Sequence, residues 1–148
     1  MGGAPVLAGL PRAQLEAVVA CGRDEEVLSG TYLLREGRPA ERFYLIRAGT
    51  VALEIQAPGR GAIVIETLQP GEVVGWSWLF APYRWQFDAR AVEACSVFSV
   101  DGLCLRAKCD ADPRLGYDLM QRFAGLATRR LQATRLQIMD VYGHAHTG

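Results

Sequence analysis

The chain has 148 residues, with 16 basic against 16 acidic side chains and a formal net charge of zero. Half of the residues are hydrophobic, enough for one domain with a substantial core, and no apolar run approaches the ~18 residues of a membrane span. The charge balance argues against nucleic acid as a partner, and the N-terminus lacks the basic stretch and apolar block of a signal peptide, so a cytoplasmic protein without membrane attachment is expected.

The segment from Leu10 to Gly22 predicts a short helix. Pro11 suits its first turn, Leu15, Val18 and Val19 share one face, and Gly22 stops it. Beyond Gly22 the hydrophobic period changes from 3.6 to 2. Strands are predicted at Glu25–Leu28, Thr31–Arg35, Phe43–Arg47, Thr50–Ile55, Ala62–Leu68, Gln86–Val92 and Cys95–Val100. Turn residues separate them, among them Ser29-Gly30, Glu36-Gly37-Arg38-Pro39, Ala48-Gly49 and Pro70-Gly71. The fold class is therefore mainly β with flanking helices: an antiparallel jelly roll or β-roll of about eight strands, with a short N-terminal and a long C-terminal helix.

The period returns to helical at Asp112, which reads as an N-cap with Pro113 at the first helical position. Leu115, Leu119, Phe123, Leu126, Leu131, Thr134, Ile138 and Val141 form one apolar stripe, and Met120, Ala124, Leu136 and Met139 broaden it. Gly143 is expected to end the helix. A helix of about 45 Å outruns a small domain, so its distal half is expected to pair with a second copy of itself. The expected organisation is a roll with its N-terminal helix over 5–111, a dimerisation helix over 112–143 and a tail over 144–148. Arg122, Arg129, Arg130 and Arg135 read as the wet face of the long helix.

No metal centre is indicated. Cys21, Cys95, Cys104 and Cys109 form no C-x-x-C pair and read as buried or incidental thiols. The two histidines, His144 and His146, fall in the polar tail. The roll therefore lacks the histidines with which cupin-type enzymes hold metal, and no nucleophile–base pair stands out. The chain is not expected to be an enzyme.

The segment Gln69-Pro70-Gly71-Glu72-Val73-Val74-Gly75-Trp76-Ser77-Trp78-Leu79, with Arg84 to Ala91, carries the functional signal. A turn, an acid, two β-branched residues, a second glycine and one predicted helical turn would offer free amides to an anion. Glu72 would accept from a sugar hydroxyl and a following arginine would pair with a phosphate. Glu72 reads equally as a cap on neighbouring amides, and Ser77 as an anion donor or a local backbone partner. Arg84 reads as a phosphate partner or a solvated loop residue. Arg90 is expected to pair with Asp88 or Glu93. Trp76, Trp78, Phe80, Tyr83, Trp85 and Phe87 would stack on a purine or fill the core.

Phe43-Tyr44-Leu45-Ile46 followed by Gly49-Thr50-Val51, then Gly71-Glu72-Val73-Val74-Gly75 and Arg90-Ala91-Val92, resemble the cyclic-nucleotide-binding domains of the catabolite activator protein and of the cyclic-AMP-dependent kinase regulatory subunit. The resemblance covers about residues 7–142. It implies a ligand-sensing module, with cyclic AMP or another cyclic nucleotide as the small anionic ligand, and no certain cofactor otherwise. It also implies a ribose contact for Glu72. Aligning Ala91 with the family's terminal alanine puts Trp85 at the arginine position and Gln86 at the hydroxyl position, with Arg84 one residue early. The expected ligand residues are Gly71, Glu72, Val73, Gly75, Ser77, Arg84, Trp85 and Gln86. A helix-turn-helix domain, which the family's transcription factors carry after the long helix, is not expected here. The alternatives are a ligand-free interaction or scaffold protein that keeps the fold, and a truncated transcription regulator. The expected mechanism is modulation of a protein partner or of the chain's own assembly.

Overall fold

Eight antiparallel strands between Gly22 and Asp101 form two sheets, and runs of four consecutive buried residues in three of the strands put both of their faces in the core. The computed structural model describes residues 5–147, with side chains described for 6–132 and 135. One sheet has the order β1–β8–β3–β6, built from β1 (Gly22–Val27), β8 (Cys95–Asp101), β3 (Arg42–Ala48) and β6 (Val73–Val74). The other runs β2–β7–β4–β5, from β2 (Tyr32–Leu34), β7 (Asp88–Ala91), β4 (Val51–Ala57) and β5 (Gly61–Leu68). Leu34, Phe43, Leu45, Val51, Leu53, Ala89, Ala91, Val97 and Val100 are buried members of one core.

Helix α1 (Arg12–Ala20) follows a short 3-10 turn at Pro5–Leu7, and Pro11 is its N-cap rather than its first helical residue. Gly22 does more than stop it. It begins β1 opposite Val100, where a Cβ would fall 2.3 Å from the Phe98 ring.

Helix α2 (Gly102–Ala111) is absent from the periodicity reading. Its apolar face is too sparse to announce itself, but its cap is in the sequence. The Asp101 carboxylate accepts from the amides of Leu103 at 2.9 Å and Cys104 at 3.1 Å. Helix α3 (Pro113–Thr147) then starts where expected, with Asp112 Oδ1 accepting from Arg114 N and Leu115 N. It runs past Gly143, since a glycine inside a helix lowers its stability by about 1 kcal/mol without forcing an end.

The stripe on α3 is two faces. Leu115, Leu119, Phe123 and Leu126 are buried against the roll, whereas Leu131 is 68% exposed. The side chains of Thr134, Leu136, Ile138, Met139, Val141, His144 and His146 lie outside the described residues. An aromatic triad seats the helix: Trp78 stacks on Phe43 with centroids 4.9 Å apart, and Phe123 meets both edge-on at 5.1 Å.

Two of the cysteines are not incidental thiols. Cys21 at the C-cap of α1 and Cys104 in the first turn of α2 form a disulfide with Cα atoms 5.8 Å apart. Their separation of 83 residues hid the pair from any spacing rule. Cys95 and Cys109 remain free and buried.

A cleft between the cassette and the long helix

The expected ligand residues do not converge on one point. The Pro70-Gly71 turn uses its own amides: Gly71 N donates to Ile46 O at 2.8 Å and Glu72 N donates to Gln69 O at 3.1 Å. Glu72 closes the turn from the side chain, its Oε2 accepting from Gln69 N at 2.6 Å. Capping is therefore what Glu72 does here, and the free amides expected of Gly71 and Glu72 are already spent. Val73 and Val74 are the buried strand β6, pairing with Leu45 and Tyr44.

No helical turn follows Gly75. Leu79 N bonds Trp76 O at 3.2 Å, Phe80 N bonds Ser77 O at 3.3 Å and Tyr83 N bonds Phe80 O at 2.8 Å. These are successive turns around a cis Ala81–Pro82 bond and a positive φ at Tyr83. The segment thus presents no helix dipole to an anion.

From Tyr83 the chain extends, and its period of two decides which residues can act together. Trp85 faces inward and is 4% exposed, packed against Gly75. Arg84 and Gln86 face the other way. With Trp76, Ser77 and Phe80 they line a cleft of about 450 Å³ whose far wall is Ala124, Ala127 and Thr128 of α3. Arg84 is exposed and its Nη1 donates to Gly37 O at 2.8 Å, while Gln86 Nε2 donates to Arg84 O at 3.1 Å. Ser77 is 5% exposed. Of the expected residues, then, Ser77, Arg84 and Gln86 share one cleft, and Gly75 and Trp85 form the packed layer behind it. Glu72 and Val73 line a separate cavity of about 270 Å³.

That second cavity contains a residue the periodicity placed in water. Arg130 is 4% exposed, continues the buried series Leu119, Phe123, Leu126, and donates to the Val73 carbonyl. Its Nε lies 3.9 Å from Glu66 Oε2, and its guanidinium carbon lies 5.7 Å from the Trp76 ring centroid. Burial holds the Arg130 guanidinium below its usual range, with Glu66 and Glu72 opposing that effect. The signal was legible as spacing: 119, 123, 126, 130 is one helical face.

The internal ion pair of β7 is also not the expected one. Arg90 Nε and Nη2 donate to Glu54 Oε2 of the neighbouring strand at 3.1 and 2.9 Å. Asp88 instead accepts from Glu36 N at 2.7 Å and Gln56 Nε2 at 3.0 Å. Strand pairing explains the switch, because β4 sets Ala52 opposite Arg90 and Glu54 two residues away on the same face.

Residues 24–112 match the family model of the cyclic nucleotide-binding domain. The chain belongs to the cyclic nucleotide-binding domain family. It is similar to a protein from Geobacter metallireducens GS-15 assigned to cyclic nucleotide binding, at 25% identity and TM-score 0.77 over 86% of this chain and 92% of that one. It is similar in fold to the Thermus thermophilus catabolite activator protein, at 21% identity and TM-score 0.73, covering 94% of this chain and 63% of that one. The regulatory domain of Toxoplasma gondii PKA, solved with cAMP, matches at 20% identity and TM-score 0.63 over 69% of this chain and 39% of that one. No curated protein matches the chain. Among the described residues no helix is long and apolar enough to cross a membrane, and no cluster of His, Cys, Asp and Glu is arranged for a metal ion.

Proposed function

We propose that this cyclic nucleotide-binding domain is a regulatory sensor that takes a small anionic ligand, a cyclic nucleotide by first choice, in the cleft between Arg84 and α3. The carrying observation is that Ser77, Arg84 and Gln86 of the cassette and Ala124, Ala127 and Thr128 of the long helix line the same space. Its volume of about 450 Å³ falls in the range of small-molecule sites. Arg84 supplies the cation, Ser77 and Gln86 supply donors, and Trp76 and Phe80 supply apolar surface. A ligand bridging cassette and helix favours whichever α3 position closes on it, so binding shifts a pre-existing equilibrium.

The readout is assembly. Tyr117, Met120, Ala124, Ala127 and Leu131 recur at spacings of three and four along α3, and Thr134, Ile138 and Val141 continue the series in sequence. Tyr117, Met120 and Leu131 are 58%, 41% and 68% exposed. This seam fits a homodimer in which the helix pairs with its copy, and it shares Ala124 and Ala127 with the cleft.

Titration calorimetry with cyclic AMP, cyclic GMP and cyclic dinucleotides tests the reading. Saturable heat that disappears in Arg84→Ala supports it; no heat from any of them, or heat unchanged in Arg84→Ala, contradicts it. One observation favours a second reading, a scaffold that keeps the fold without a ligand. Trp85 sits buried at the aligned arginine position, and an indole neutralises no phosphate.

A further inference from the structure

The face of Tyr83–Gln86 opposite the cleft borders a groove that the cassette does not explain. Trp85, Tyr44 and Leu34 floor it, and Arg35, Arg38 and Arg42 rim it, with Glu41 as the one carboxylate. Three guanidiniums stand against the Glu41 carboxylate on the rim and the Asp88 carboxylate beside Arg35, which leaves a local charge of +1 (three minus two) in a chain whose net charge is zero. The concentration of charge is therefore a property of the place and not of the composition.

Two of the arginines are held in position. Arg42 Nη1 donates to Ser99 Oγ at 2.9 Å, and the Arg35 guanidinium carbon sits 4.0 Å from the Tyr32 ring centroid. Arg35 Nε also lies 4.0 Å from the buried Asp88 carboxylate. Arg38 is exposed and enters no ion pair among the described residues. The groove encloses about 450 Å³.

We propose that this groove is an anion-binding site, separate from the cleft, for an organic phosphate. Guanidinium forks meet the oxygens of a phosphate two at a time, and several of them suit a dianion better than a single carboxylate. Leu33, Leu34 and Pro39, with the edges of Trp85 and Tyr44, offer the organic body an apolar bed. The site does not depend on the cleft having a ligand, but the two are mechanically joined. Gly37 N donates to Trp85 O at 2.9 Å, Trp85 N donates to Arg38 O at 3.1 Å, and Arg84 Nη1 donates to Gly37 O at 2.8 Å. A cleft ligand that draws Arg84 away removes one of these three bonds on the loop carrying Arg38, so occupancy of one site alters affinity at the other.

Phenyl phosphate and inorganic phosphate, titrated calorimetrically into the full chain at low and matched ionic strength, are the probes. The expected result is saturable binding of phenyl phosphate, tighter than that of inorganic phosphate. Arg38→Ala should weaken it by about tenfold, the loss of one charge-assisted contact, and Arg38→Lys should fall between. Arg60→Ala, an exposed arginine in the β4–β5 turn outside the groove, should leave affinity within about twofold, the range of additive, independent sites. Absence of saturation at millimolar phenyl phosphate overturns the proposal. So does binding unchanged in Arg38→Ala, or weakened equally by Arg60→Ala. Circular dichroism of each variant secures the comparison.

Discussion

Gly75 and Trp85 lie in direct contact: a Cβ on Gly75 would fall 2.7 Å from Trp85 Cη2, and Gly75 adopts a φ of +101°. The glycine is required twice over, by the left-handed backbone and by the indole that occupies the space beside it. Gly75→Ala should destabilise the chain by about 2–4 kcal/mol, combining overpacking with a strained φ. Trp85→Phe should be better tolerated than Trp85→Arg, which restores the aligned residue but buries a cation in an apolar layer. Denaturant melts of the three variants check both statements. An arginine variant as stable as the phenylalanine variant would mean that Trp85 is not a core residue.

The Cys21–Cys104 bridge fastens α1 to α2 across 83 residues of chain. Replacing both cysteines by serine and alanine should lower stability by about 2–5 kcal/mol. Alkylation of the unfolded, unreduced chain followed by mass spectrometry should label two thiols, Cys95 and Cys109; four labelled thiols would remove the bridge.

Burial pushes the Glu66 carboxyl above its ordinary 4.5, Arg130 draws it back in part and Glu72 raises it again. A carboxyl that protonates more readily folded than unfolded contributes stability that is full below pH 4.5 and is lost as pH rises through its folded value. Relative to Glu66→Gln, the wild type should therefore lose stability as pH rises from about 4.5 toward neutrality. Parallel stability–pH curves for the two proteins would contradict the dominance of burial over the Arg130 charge at Glu66.

The seam on α3 predicts its own test. Met120→Asp with Leu131→Asp places two charges on exposed positions, so the fold should survive while light scattering reports a halved mass. A mass unchanged from the wild type excludes this face as the interface.

Strands and turns were legible because a roll buries alternate residues, and the glycines and prolines between them punctuate that alternation. Helix α2 was not, since its start depends on Asp101 capping two amides rather than on an apolar stripe. Arg130 was misplaced for the opposite reason. Its charge outweighed its position on the buried face, and the Val73 carbonyl and Glu66 that receive it come from elsewhere in the chain. The division of the cassette follows from the one-residue offset visible at Arg84 and Trp85: neighbours on an extended segment point opposite ways, so one lines the cleft and the other fills the core. Glu72 left two readings open, although the Gln69 amide it accepts from lies three residues back in the same turn and was within reach of a local reading.

Hydrogen exchange on the full chain, with and without saturating cyclic AMP, cyclic GMP or a cyclic dinucleotide, probes the sensor most directly. A ligand between cassette and helix should slow exchange both in 76–86 and in the turn of α3 around 124–128. Protection confined to the Gln69–Glu72 turn, or no protection with any of these compounds, would contradict it.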